Sequence, residues 1–139
     1  MAHQPFGSFN MWHFIRYWLP VVVYCAIIAY LSSQSYPGSH LPSFVFGFSD
    51  KLVHGIEFGI LGILLFRAFH HTHGTSGSIG LAIVSAVAFG VSDEIHQWFV
   101  PHRQADMWDV LADTLGATSF VVTWAFFTNH TSLRRQRSS

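Results

Sequence analysis

The sequence predicts an all-α, polytopic membrane protein: a four-transmembrane-helix bundle. Three observations carry that prediction. Half of the 139 residues are hydrophobic and only 10% are charged, against roughly 25% charged in a typical soluble protein. Four apolar stretches follow one another, each close to the ~20 residues that a spanning helix needs once flanking polar positions are included. Seven basic and seven acidic residues supply too little polar surface to coat a soluble domain of this size, leaving a soluble oligomer with a large apolar interface as the alternative. The length fits a single domain, read as an N-terminal segment 1–13, a transmembrane domain 14–127 and a basic tail 128–139.

The first span runs from about Phe14 to Leu31. A cleaved signal peptide is disfavoured here, because many aromatic residues precede the apolar core and Leu31 is a poor −3 residue for cleavage. The second span runs from Leu52 to Phe69, the third from Ile79 to about Val100 and the fourth from Trp108 to Phe127. Thr72 to Ser78 is polar and glycine-containing and reads as the loop between the second and third. No strand-period alternation competes with these helices. Cys25, the single cysteine, lies inside an apolar run and reads as a small buried hydrophobe.

Basic residues orient the chain. With four spans both termini share one side, and Arg16, Arg67, Arg134, Arg135 and Arg137 fall on it. Lys51 and Arg103 fall on the other. Both termini are therefore expected in the cytoplasm of a bacterial-type cell membrane. The zero net charge with His neutral gives no basic surface for nucleic acid. Trp12, Trp18, Trp98, Trp108 and Trp124 fit interfacial belts. His70, His71 and His73 read as a solvated loop beside Arg67, and the arginine tail as a topology signal with some affinity for anionic lipid.

The polar residues form three stripes at helical spacing. Asp50, His54 and Glu57 line one face of the second span, with Lys51 beside them. Asp93, His96 and Gln97 line the end of the third, with Glu94 adjacent. Asp106, Asp109 and Asp113 run across the start of the fourth. Carboxylates at membrane depth are costly and face a bundle interior rather than lipid. All three stripes lie at the same predicted, external end, and the turn at Pro101 brings Arg103 to them. The competing explanation is structural: Asp50, after Ser49, and Asp106 occupy positions suited to helix capping, and His54, Glu57 and Asp113 suit interhelical hydrogen bonds. The candidate ligand-binding or acid/base set is Asp50, Lys51, His54, Glu57, Asp93, Glu94, His96, Gln97, Arg103, Asp109 and Asp113.

These residues sit in segments that resemble the VanZ-like family of small membrane proteins. The matching pieces are Ser32-Ser33-Gln34-Ser35 after the first span and Ser49 to Phe58 opening the second. Ser92-Asp93-Glu94-Ile95-His96-Gln97 closes the third, Val100-Pro101-His102-Arg103 makes the turn, and Asp109 to Ala117 lies in the fourth. The resemblance covers about residues 17–127. It implies a cell-envelope role, since the founding member is associated with teicoplanin resistance. Two positions depart from the family pattern: His102 where Gly is frequent, and Asp113 where Asn is frequent. A phosphotransbutyrylase label carried by some relatives does not suit a polar cluster placed away from cytoplasmic CoA.

Three function classes remain open. A binding or resistance factor without turnover would use the stripes as a pocket for an envelope lipid or a glycopeptide-related ligand. An enzyme would use Asp93, Glu94, His54 and His96 as acid/base groups or as ligands for a divalent metal, with Arg103 and Lys51 holding a phosphate. No nucleophile elbow, P-loop or zinc-protease motif accompanies them, and the metal is allowed but not favoured. A proton-coupled transporter or lipid flippase would use the carboxylates and histidines as a relay. Membrane lipids are the expected partners, and homo-oligomers are compatible with all three readings.

Overall fold

A computed structural model describes residues 11–34, 43–74, 77–103 and 105–137, with the side chains of 43–49 and 129–137 left out. Ser35, the Ser49 side chain, most of the N-terminal segment 1–13 and the side chains of the tail arginines thus lie outside the described parts. The fold is four helices: α1 (Met11–Ser32), α2 (Ser43–His73), α3 (Ser78–Trp98) and α4 (Met107–Arg137). No strand occurs among the described residues. Each helix contains a stretch long and apolar enough to cross a membrane: Met11–Ser32, Asp50–His73, Ser78–Trp98 and Met107–Thr128.

The helices alternate up and down, so the start of α1, the end of α2, the start of α3 and the end of the α4 span share one end. At that end His13 Nε2 lies 3.0 Å from the His71 carbonyl, and Trp18 Nε1 donates to Thr72 Oγ1 at 3.0 Å. Helices α2 and α4 have 31 residues each, about 46 Å at 1.5 Å per residue, and so outreach a hydrocarbon core of about 30 Å. Helix α2 begins at Ser43, nine residues before the expected Leu52. Its extra turns carry Phe44, Val45, Phe46 and Phe48, which continue the apolar pattern upstream of Asp50. The histidines at 70, 71 and 73 belong to the last turns of α2 rather than to a loop. His71 stacks on Tyr17 with ring centroids 4.1 Å apart, and the Arg67 guanidinium lies 5.4 Å from the same Tyr17 ring.

Packing is tightest between α2 and α4. A Cβ on Gly116 would stand 1.9 Å from the Gly55 carbonyl oxygen, and one on Gly62 would stand 2.9 Å from Val121 Cγ2. Only glycine lets the two backbones come this close, as in other small-residue contacts between membrane helices. Below this contact the buried residues, Ser78 at the far end apart, are apolar: Phe58, Leu61, Leu65, Phe66 and Ala68 of α2 meet Ala82 and Ala86 of α3 and Ala117, Val121 and Ala125 of α4. Helix α1 packs mainly on α2, through Val21 and Ile28. Pro20 deprives it of the bond to the Arg16 carbonyl, a loss that membrane helices tolerate. Cys25 is half-buried and its thiol is free. Leu19, Val22, Ile27, Val84, Val122 and Phe126 point outward, where a lipid-facing surface needs apolar groups. Trp12 and Trp124 lie exposed near one end and Trp98 and Trp108 near the other, while Trp18 is partly buried.

Candidate functional site at the polar end of the bundle

Of the buried polar side chains among the described residues, all but Ser78 sit at one end: Ser32, His54, Asp93, Glu94, Gln97, Asp109 and Asp113. The connection from α3 to α4 builds that end. Phe99 closes α3, its N–H bonding the His96 carbonyl, and the Val100 N–H bonds the Gln97 carbonyl at 3.0 Å. The chain then turns through His102 at φ 65, a left-handed conformation that suits glycine. This is the position where the family resemblance places Gly, so the backbone explains the preference. The turn closes with Arg103 N–H on the Val100 carbonyl at 3.2 Å.

Asp106 caps α4. Its Oδ1 accepts from the Trp108 N–H at 2.9 Å, and its own N–H donates to Glu94 Oε2 at 2.7 Å. The first contact satisfies one of the orphan amides at the helix start, and the second ties that start to α3. Its Oδ2 accepts from Lys51 Nζ at 2.6 Å. The ammonium beside it holds the Asp106 carboxyl below its ordinary range. Lys51 also bonds Asp109 Oδ1, so one ammonium on α2 joins two carboxylates of α4. Asp50, in contrast, is no cap. Helix α2 starts a full seven residues earlier, and Asp50 projects from its interior.

One turn deeper, His54 Nδ1 and Asp113 Oδ1 are 3.1 Å apart, with His54 5% and Asp113 1% exposed. The second Asp113 oxygen has no hydrogen-bond partner. It lies where a Cβ on Gly90 of α3 would come within 2.9 Å, so Gly90 makes room for it. On α3, Gln97 Nε2 donates to Asp93 Oδ2 at 3.1 Å.

A cleft of about 60 Å³ opens between α1, α2, α3 and the turn. Its polar lining is Ser32, Asp50, His54, Glu57, Asp93, Gln97 and Arg103, and its apolar lining is Ile28, Leu31 and Val53. Of the candidates read from the sequence, Asp50, His54, Glu57, Asp93, Gln97 and Arg103 therefore share one cavity. Lys51, Glu94 and Asp109 lie in the network that joins α2, α3 and α4, and Asp113 stands behind His54. His96 is apart from them: it is exposed, with Nε2 2.9 Å from Ser33 Oγ, just past the end of α1. Asp50, His54 and Asp109 also form the one grouping among the described residues whose ligand-type atoms all lie within 4.8 Å of one another.

Sequence reasoning left Ser32, Gly90 and the Gly55–Gly116 contact out of the site. Ser32 stands in a quoted motif, and Gly55-Ile56-Glu57-Phe58-Gly59 carries the small-xxx-small spacing of close helix pairs. Both signals were present. Nothing in the sequence marks Gly90 as the neighbour of Asp113.

The family model for VanZ/LLP1 matches residues 3–128, which takes in all four spans and every residue of the polar end. The chain belongs to the VanZ/LLP1 family. No curated protein and no solved structure matches it. As a VanZ/LLP1 member it is a membrane protein with four apolar helices, and Asp113, the carboxylate at a position where the resemblance implies Asn, lies in the most buried part of the polar network.

Proposed function

We propose that this VanZ/LLP1 protein is a membrane-embedded envelope factor whose polar end binds the headgroup of a phospholipid or related envelope lipid, and that it lowers sensitivity to glycopeptides without turning a substrate over. The single observation that carries the reading is the cleft. It combines a guanidinium, Arg103, with the carboxylates Asp50, Glu57 and Asp93. A phosphate oxygen suits the first and a hydroxyl or ammonium suits the second, so a headgroup carrying both matches the lining. Ile28, Leu31 and Val53 give the first methylenes of a lipid an apolar wall.

Size limits the ligand. A cleft of about 60 Å³ suits a small polar group, such as the phosphate or ammonium of a headgroup, rather than a whole glycopeptide. The resistance role, which the family resemblance suggests, then follows through lipid and not through capture of the drug. The arginine distribution supports cytoplasmic termini and an external cleft. A transport reading is less well supported, because the buried residues from Phe58 and Ala117 to Ala68 and Ala125 are apolar and offer protons no relay through the chain's own bundle.

Teicoplanin sensitivity of cells expressing the protein tests the proposal. Wild type is expected to protect, and Glu57→Gln with Asp93→Asn, at equal membrane levels, is expected to remove most of the protection. Undiminished protection by the double variant would overturn it.

A further inference from the structure

The polar end is anionic beyond what its own cations balance. Around His54 stand Asp50, Asp109 and Asp113, with Asp106 one turn away and Glu57 and Asp93 in the same cleft, against the two cations Lys51 and Arg103. From this arrangement we infer a binding site for one divalent cation of the Zn²⁺ or Mn²⁺ type, held by Asp50, His54 and Asp109.

The geometry fits such an ion. Ligand atoms around a metal at ~2.0–2.2 Å stand ~3–4.4 Å from one another, and one ligand-type atom from each of Asp50, His54 and Asp109 lies within 4.8 Å of the others, a spacing that small side-chain shifts bring into that range. His54 is already oriented. Asp113 Oδ1 occupies its Nδ1 side at 3.1 Å, which leaves Nε2 as the ligand nitrogen, and a buried carboxylate behind a ligating imidazole is the usual arrangement in protein metal sites. One imidazole with two carboxylates suits Zn²⁺ or Mn²⁺ better than Mg²⁺ or Ca²⁺, which favour oxygen alone. Asp109 gives its Oδ1 to Lys51, leaving its other oxygen for the ion, and Lys51 retains Asp106.

A second observation points the same way. Ser32 of α1 is 4% exposed and lines the cleft that Asp50 and His54 also line, yet its Oγ has no hydrogen-bond partner. A buried hydroxyl without a partner is costly. A water held on the ion, within the cleft, would supply one. The site extends the headgroup reading by placing a cation where a phosphate would meet it, and it is tested without lipid so that the two can fail separately.

The test uses full-length protein in a phosphate-free maltoside detergent, stripped with chelator and titrated with Mn²⁺ or Zn²⁺. Equilibrium dialysis is expected to give one ion per chain. Asp50→Asn and Asp109→Asn are each expected to weaken binding at least tenfold, and Asp113→Asn about tenfold or more, as outer partners of ligating histidines do. Asp106→Asn, which keeps the cap but lies outside the trio, is expected to leave affinity within about threefold. Pulsed electron spin resonance of the Mn²⁺ form gives a readout independent of variant folding, since an imidazole ligand imprints nitrogen modulation on the signal. One ion per chain with that modulation supports the site. Absent stoichiometric binding, absent nitrogen modulation, or equal affinity in the Asp50 and Asp109 variants overturns it.

Discussion

The same helix pair, α2 and α4, is held together in two different ways along its length. At the polar end side chains span the gap: Lys51 to Asp106 and Asp109, His54 to Asp113. From Gly55 and Gly116 inward the backbones nearly touch, and Gly62 packs on Ala117 and Val121. The first region is polar, partly exposed and holds a cleft. The second is apolar and without titratable groups among its buried residues. The contrast teaches that the glycine contact does the holding and that the polar end is free to specialise. Interhelical hydrogen bonds in membranes contribute only about 0.6 kcal/mol on average, so this many buried carboxylates are a poor way to stabilise a bundle.

Breaking the glycine contact should have the largest effect. Gly116→Val pushes a branched side chain into the Gly55 carbonyl and is expected to cost about 3 kcal/mol or more, read as a loss of folded protein in thermal unfolding of the detergent-solubilised chain. A comparable cost from His54→Leu would contradict the division. That substitution breaks the bond to Asp113 and is expected to cost about 1–2 kcal/mol. Asp113→Asn should cost less than His54→Leu, because an amide oxygen still accepts from His54 Nδ1.

Smaller changes sharpen the comparison. Gly80 has nothing within 4 Å of an added Cβ, so Gly80→Ala is expected to stabilise α3 by about 0.5–1 kcal/mol, in contrast to the same substitution at Gly116. At the turn, His102→Gly should be neutral or slightly stabilising, since relief of the positive φ, about 1 kcal/mol, opposes the greater freedom of glycine when unfolded. The smallest effect is acidification. The Asp106 carboxyl is held below its ordinary range, so the stability it adds is fully present above the unfolded carboxylate value of about pH 4. That contribution is lost as pH falls through the lower folded value. Partial exposure and salt keep it small, and Asp106→Asn should flatten it in a pH series of melting temperatures.

The four spans were legible because apolar length over 18 or more residues is a strong signal. The shared end of the three stripes followed from helical periodicity and an even number of spans. The start of α2 was misplaced because Asp50 resembles a cap when only its neighbours are read. The apolar residues before it, Phe44 to Phe48, were the missed sign that the helix had already begun. His96 was grouped with Asp93 by its spacing, but the end of α3 turns it toward Ser33, just past α1. The depth of Asp113, the room left by Gly90 and the separation of Glu94 from the cleft depend on how α3 and α4 are rotated, which one helix's periodicity does not encode.

Lipid retention tests the central claim most directly. Native mass spectrometry of protein released from vesicles of phosphatidylethanolamine and phosphatidylglycerol should find phospholipid kept on the wild type. The double variant Arg103→Gln, Asp93→Asn, folded as judged by its melting temperature, should lose at least tenfold of it. Equal retention by the two proteins would contradict a headgroup site in the cleft.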